Sequence, residues 1–528
     1  MSKQTLPPIR TVAVIGAGIS GVCSAAHLLK QGLSVTVFER SSTSGGVWHF
    51  DPRSAREPAY PNEVASLGDY DRILFNDEDS YSTPPHTPER ISSSPSLGQM
   101  VIDKDVNGSN SWGELSVTHA PPGPCYVGLK NNVALTAMKT SLAAWPPGLE
   151  EFVSQQYLEE YVQLLAETHD VNAITQYNTR VEDVSKIGEK WRVRTTTLPP
   201  PTSDPSHTSP KLVKKTVYFD AVVIATGHYH MPRVPDVPGL SEWKAAYPDR
   251  IEHSKGYRNA EKFSDKNVLI IGAGVSSCDI AKEINIVGGR VFQSSRGGIY
   301  DLPASMLPAS ATRIPGISSF ILPTSSQNKL PTPNQPIPGR ILLTNGQELT
   351  NIHHIILATG YITSYPFLPT KHSDTKTAHE ADDHILVTRE GTMVHNLHKD
   401  IFYIPDPTLS FIGIPYHIST FSLFDFQAQV VARIYAGRAR LPSQTAMRAE
   451  YSARVKQKDL GREFHSLRAS GAEIEYVRDL VDWMNEDLSD GGEAMVGHTE
   501  EWHVAHRKQR EMLAERLGAD FGQGRLQK

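Results

Sequence analysis

Two short glycine-bearing strings are the residues of this chain best suited to chemistry. The first is Gly16-Ala17-Gly18-Ile19-Ser20-Gly21; the second, Gly272-Ala273-Gly274-Val275-Ser276-Ser277, starts 256 residues later. Each follows an apolar run and opens a helical pattern, the arrangement in which a turn cradles the pyrophosphate of a dinucleotide. Gly16 permits the tight turn, Gly18 lets a phosphate approach the backbone, and Gly21 lets helix and strand pack closely. The helix start then offers unpaired N–H groups and a partial positive charge. Glu39 stands 23 residues after Gly16, where a carboxylate accepts hydrogen bonds from ribose hydroxyls, and Arg40 follows it. In the second copy the third glycine is Ser277, which predicts slightly looser helix packing. The place equivalent to Glu39 holds Ser295, followed by Arg296. Losing a carboxylate and gaining a guanidinium favours a 2′-phosphate, so NADPH is expected there rather than NADH.

Two such sites in one chain point to a flavin at one and a nicotinamide at the other, with hydride passing between stacked rings. A disulfide reductase would hand the electrons to a cysteine pair. The cysteines are Cys23, Cys125 and Cys278, none spaced C-x-x-C, so that branch is disfavoured.

The elements that must position these residues read as two βαβ units. Thr11 to Ile15 is an apolar strand, Val22 to Lys30 a helix stopped by Gly32, and Ser34 to Phe38 the second strand. The second unit starts at Asn267. Each unit is followed by a strand ending in Ala-Thr-Gly, at residues 225–227 and 358–360. Residues 51–125, rich in Pro, Ser, Asp and Asn, read as a long loop-like excursion, a lid or a mobile segment. A helix is expected over about 149–168, a strand meander over 191–197 and 217–219, and a solvent loop over the Pro-rich 199–210. From about 424 the pattern is mostly helical, with Ile474, Val477, Val481 and Met484 as an apolar stripe.

Composition narrows the partners. The 528 residues carry 52 Lys+Arg against 58 Asp+Glu, so there is no basic surplus for nucleic acid. No run of about 18 apolar residues predicts a spanning helix, and the N-terminus lacks the apolar core of a signal peptide. A cytoplasmic location is expected.

At this point the residues resemble the flavin-containing monooxygenases. Gly45-Gly46-Val47-Trp48 looks like that family's GGxW segment. Ala225-Thr226-Gly227-His228 and Leu357-Ala358-Thr359-Gly360-Tyr361 resemble its two ATG crossings. Asp279-Ile280-Ala281, Phe411-Ile412-Gly413 and Asp425-Phe426-Gln427-Ala428 are similar to further segments, the last with Asp in place of Glu. The likeness covers most of 11–50, 126–300 and 340–485 and stops in 51–125 and the tail. The family's F-x-G-x-x-x-H-x-x-x-(F/Y) string is degenerate here: it runs from Tyr247 through Asp249 and His253 to Tyr257. Tyr257 rather than Trp leans away from typical Baeyer–Villiger enzymes. His253 is equally readable as an ordinary polar residue before the second unit.

The resemblance implies an α/β flavoprotein with two Rossmann-like domains, the second inserted in the first, and C-terminal helices. The expected division is 1–230 and 341–440 for FAD, 231–340 for NADPH, and 441–528 as a helical extension. Cofactor contacts are expected from Gly16, Gly18, Ser20, Gly21, Glu39, Arg40, Gly46, Val47, Trp48, Thr226 and Gly227. On the second side they are Gly272, Gly274, Ser276, Ser277, Ser295, Arg296, Thr359, Gly360 and Tyr361, with Gln427 from the C-terminal part. The family's asparagine near the flavin falls on Asn132 in Leu129-Lys130-Asn131-Asn132, where an amide donates a hydrogen bond without delivering a proton; Asn131 is the rival. No metal is required, and His228, His230, His353 and His354 are read as surface or packing residues. The implied activity, like that of an N,N-dimethylaniline monooxygenase, forms a flavin C4a-hydroperoxide from O2 and NADPH. That species oxygenates an amine nitrogen or sulfur of a small substrate. A Baeyer–Villiger oxygenase, an NADPH oxidase or reductase, and a non-catalytic flavoprotein stay open, as does the oligomeric state.

Overall fold

Val12, Ala13 and Val14 in the strand Thr11–Ile15 are wholly buried, as befits a parallel strand covered on both faces. This strand is central in a seven-stranded sheet. The computed structural model describes residues 3–75, 112–201, 212–323, 332, 334–486, 488 and 493–517. The sheet order is Leu397–His398, Phe402–Tyr403, Leu409–Phe411, Ala221–Ile224, Thr11–Ile15, Ser34–Phe38 and Thr175–Gln176. From Leu409–Phe411 onward the pairing is parallel. The helix Ile19–Lys30 packs between this sheet and the helix Thr420–Tyr435, so the Gly-turn helix is held from both sides.

The second sheet is wholly parallel, in the order Ile251–His253, His354–Leu357, Asn267–Ile271, Arg290–Ser294 and Thr312–Ile314. The helix Val275–Ile286 connects two of its strands. The two sheets are joined where Met231–Pro232 pairs antiparallel with Tyr361–Ile362, Pro232 opposite Tyr361. This corrects the expected division. The strand His354–Leu357 was assigned to the returning first domain, but it pairs with Asn267–Ile271, so the chain leaves the second sheet only at about 361. The apolar tetrapeptide His354–Leu357 carries no mark of which sheet it completes.

Other elements differ in detail. The helix expected from about 149 runs over Gln155–Thr168. Residues before it are engaged elsewhere: Val153 N donates to Asn131 Oδ1 (2.6 Å), and Lys130 bridges to Ser154. The meander forms as Thr179–Ile187, Lys190–Thr197 and Val213–Phe219, with its first strand unanticipated. Part of the excursion 51–125 is packed rather than loop-like, with Trp112–His119 helical and Ala65 and Tyr70 buried. Its stretch 76–111, and 202–211 of the Pro-rich link, lie outside the described residues. The C-terminal part supplies the helices Gln444–Gln457, Ala472–Glu486 and Glu500–Leu517. No helix among the described residues is long and apolar enough to cross a membrane.

Candidate functional site

The two glycine turns are built alike down to their neighbours. Gly16 has φ of +105°, and a Cβ there would lie 2.6 Å from the carbonyl oxygen of Ala225. Gly272 has φ of +115°, and a Cβ would lie 2.2 Å from the carbonyl oxygen of Ala358. Each Ala-Thr-Gly crossing therefore rests on the first glycine of its own unit, and no side chain fits between them. Gly21 packs as expected, since a Cβ would fall 1.8 Å from the Gly16 oxygen. Its counterpart Ser277 is also wholly buried; its Oγ donates to Gly274 O (2.8 Å) and accepts from Gln293 Nε2 (2.7 Å). Gly21 and Ser277 thus serve helix–strand packing and do not face the cavity described next.

A cavity of about 2010 Å³ lies between the sheets and joins both turns. Its first end is walled by Gly16, Gly18, Ser20, Glu39, Arg40, Gly46, Val47 and Trp48. Gly46 lies directly over the turn, where its Cβ would come 2.8 Å from Gly18 Cα. The second end is walled by Gly272, Gly274, Ser276, Ser295 and Arg296, and the crossings add Thr226, Gly227, Thr359, Gly360 and Tyr361. Neither turn helix has a side-chain cap or an acidic residue in its first turn. Their N-terminal N–H groups are thus left for an anion. Cradle, uncapped helix start and size all fit a dinucleotide at each end.

The expected polar contacts divide. Glu39 accepts from Ala17 N (2.7 Å) and Ser41 N (2.8 Å), which fixes its carboxylate against the turn. Arg40 does not reach freely into the cavity: Asp69 holds it with two bonds of 2.9 and 3.1 Å. Asp69 also accepts from Lys255 Nζ (2.9 Å), and Lys255 is 1% exposed. Burial alone would raise the Asp69 carboxyl, but Arg40 and Lys255 hold it well below the usual carboxylate range. The excursion thereby ties the first sheet's strand end to the second unit. Ser295 donates to Asp301 Oδ2 (2.5 Å), while Arg296 is exposed on the rim. Gln427 corrects an expectation. It does not line the cavity; its Oε1 accepts from Gly413 N (2.9 Å) and its Nε2 donates to Tyr476 Oη (2.8 Å), so it positions a wall residue.

Both asparagines line the cavity, but they differ in burial and in what their amides bond. Asn131 is buried, with Nδ2 donating to Val133 O and Glu151 O, both 2.7 Å, and Oδ1 accepting from Val153 N. Asn132 is exposed on the cavity wall, and its main-chain carbonyl accepts from Gln509 Nε2 (2.9 Å). Gln509 Oε1 accepts from Ala134 N (3.0 Å), so one side chain clamps the segment that carries Asn132.

Of the histidines expected at the surface or in packing, His354 is buried and His228, His230 and His353 are half-buried. His253 Nδ1 accepts from Lys255 N (3.1 Å), so Nε2 carries the proton and donates to Gly360 O (3.1 Å). The degenerate motif therefore supports the second crossing. Burial pushes His253 and His228 down to about 3 and His230 down to about 4, so all three are neutral near pH 7. His228 and His230 face the cavity. Asp425, in the place of the expected Glu, contacts His27 Nε2 at 2.6 Å. Among the described residues no group of three His, Cys, Asp or Glu could hold a metal ion, and the three cysteines are free and buried. A residue of the site that the sequence reading missed is Glu473, a buried carboxylate on the cavity wall. Its signal was the spacing of Glu473, Val477, Leu480 and Met484, which puts a charge on the buried face of the helix.

Comparison with known proteins follows the same lines. The profile of the flavin-binding monooxygenase-like family matches residues 126–306 and 338–488, and that of FAD dependent oxidoreductases matches 11–56. The flavin-containing monooxygenase ustF2 of Aspergillus flavus is 41% identical, over 91% of this chain and 92% of its own. Among solved structures, S-allyl-L-cysteine S-oxygenase from Allium sativum superposes with a TM-score of 0.62 at 22% identity, covering 100% of this chain and 96% of its own. Tmm from Pelagibacter sp. gives 0.65 at 18% identity, covering 96% and 91%.

Proposed function

The chain belongs to the flavin-containing monooxygenase family, which binds FAD and NADPH, and on that premise we propose that it is an NADPH-dependent oxygenase of a soft nucleophile. The acceptor is an amine nitrogen or a sulfur of a small organic substrate. The observation that carries this reading is that one cavity is lined by both glycine turns and by Asn132. FAD belongs at the turn Gly16–Gly21 and NADPH at Gly272–Ser277. Bound FAD, once reduced by NADPH, supplies the activation of dioxygen.

The chain's own residues supply the rest. The uncapped starts of the helices Ile19–Lys30 and Val275–Ile286 receive the two pyrophosphates. Arg296, exposed at the rim, meets the 2′-phosphate. Thr226, Gly227, Thr359 and Gly360 set the distance between the two ends through the paired crossings. Asn132 donates an amide hydrogen bond at the reacting end, and an amide releases no proton. The neutral His228 and His230 likewise bring no acidic proton to this wall.

The test is anaerobic titration with NADPH followed by a pulse of oxygen with amines, sulfides and ketones. Bleaching of the flavin and N- or S-oxygenated product are expected. Lactone as the sole product would mean Baeyer–Villiger chemistry, and peroxide without product a plain oxidase.

A further inference from the structure

Glu473 stands in the first turn of the helix Ala472–Glu486 and is 4% exposed, yet it lines the cavity. Its Oε1 accepts from Ser419 N (2.8 Å) and its Oε2 from Ser419 Oγ (3.4 Å). Ser419 is the cap of the helix Thr420–Tyr435, so the carboxylate sits at two helix starts, both of which favour its charged form. Its sole ion-pair contact among the described residues is His506 Nε2 at 3.9 Å. Burial lowers His506, helped by Arg510 and His503, so His506 offers no firm positive charge. Arg510, on the same C-terminal helix, acts on Glu473 through space only. The titratable and charged groups facing Glu473 are thus His506 and Arg510 from Glu500–Leu517, while Thr420–Tyr435 contributes the polar groups of Ser419.

A buried carboxylate without a fixed counter-cation is costly by several kcal/mol. Burial pushes Glu473 up to about 7, against the pull of Ser419 and Arg510. A group poised there is matched to proton exchange near neutral pH. The cavity that Glu473 lines also carries the apolar Ile418, Phe421 and Phe424, close in sequence to its partner Ser419. A substrate ammonium on an apolar body would complete this pocket.

We propose that Glu473 receives the substrate's ammonium group and takes its proton, which makes the substrate a primary or secondary aliphatic amine. This rests on the monooxygenase reading above and chooses nitrogen within it. The step balances. One N–H bond breaks, its electron pair stays on nitrogen as the lone pair that oxygenation needs, and the proton goes to a Glu473 oxygen. For a primary amine the sum is R–NH3⁺ + O2 + NADPH → R–NHOH + NADP⁺ + H2O; the proton that Glu473 gives up again is the one that reduction of oxygen consumes.

The test uses the FAD-loaded full chain, with benzylamine and benzyl methyl sulfide as matched probes. For the parent, kcat/KM for the amine should rise with pH through a limb near 7, while sulfide turnover shows no such limb. In Glu473→Gln the amine value should fall about 100-fold and lose the limb, and sulfide turnover should stay within about twofold. Calorimetric titration with benzylamine at pH 7 in the absence of NADPH should show proton release by the parent, from the fraction of Glu473 that starts protonated, and none by Glu473→Gln. Should that variant fail to fold, Ser419→Ala replaces it: removing a donor to the charged form should move the limb to higher pH. Equal losses for both probes, an unaffected amine, or an unmoved limb would overturn the assignment. Sulfide oxygenation with no amine turnover would overturn it while leaving the monooxygenase reading intact. Reduction by NADPH with neither probe oxygenated would sink both.

Discussion

Arg296 and Asn132 are single side chains with freedom to act, and each yields a prediction. Arg296 is exposed on the cavity rim. Arg296→Ala should raise KM for NADPH about tenfold or more and leave KM for NADH nearly unchanged; steady-state kinetics with both reductants decides. Asn132→Ala should leave flavin reduction by NADPH nearly intact but divert the oxygen to hydrogen peroxide, measured as peroxide formed per NADPH. Asn131→Ala behaves differently, because its amide makes three main-chain bonds and none to the cavity. That substitution should lower the thermal midpoint by several degrees. The string Leu129-Lys130-Asn131-Asn132 identified the pair, but only the fold shows that neighbours in sequence have opposite environments. Arg40, Gln427 and His253 were likewise visible as motif positions, while their partners Asp69, Gly413 and Gly360 are distant in sequence. A motif names a residue; it does not name what neutralises or orients it.

Local elements were the most legible. Glycine turn, helix and apolar strand are encoded within about ten residues, so Thr11–Ile15, Ser34–Phe38 and the turn helices could be read directly. The excursion 51–125 could not, because Pro- and Ser-rich composition reports missing periodicity and says nothing of buried charge. Its residue Asp69 is the shared partner of Arg40 and Lys255, with side chains 5%, 20% and 2% exposed. Asp69→Asn would leave the buried Lys255 and the half-buried Arg40 without a full counter-charge, a loss of about 3 kcal/mol. The pH sign follows from the lowered carboxyl. Its folded pKa lies below the unfolded value near 4, so this contribution is complete above about pH 4 and is lost as pH falls below that. Thermal unfolding of parent and Asp69→Asn across pH should therefore show a large gap at pH 7 that narrows in acid. A gap constant with pH would contradict the buried cluster.

Across the whole molecule, the repeat told how many nucleotide units exist but not where the chain passes between them. The strand His354–Leu357 went to the second sheet because Asn267–Ile271 offers it a parallel neighbour, a pairing with no local signature. The C-terminal helix Glu500–Leu517, beyond the family match, touches both units: Trp502 Nε1 donates to Ala137 O (2.9 Å) and Gln509 clamps Asn132 and Ala134 in the first, and the helix packs on Ala304–Met306 of the second. A chain ending at His498 should still take up FAD and be reduced by NADPH. It should waste most of its reducing equivalents as peroxide, as oxygen-electrode stoichiometry would show, because the clamp on Asn132 and part of the cavity wall are gone.

The antiparallel rung at Pro232 and Tyr361 also bears on how such enzymes can be recombined. An inserted body whose entry and exit lie side by side joins its host chain at one place, much like the closely spaced termini that allow domain transplantation. The reductant-binding half of a sister enzyme could be grafted at that junction to alter coenzyme preference, provided the graft keeps Lys255 for Asp69.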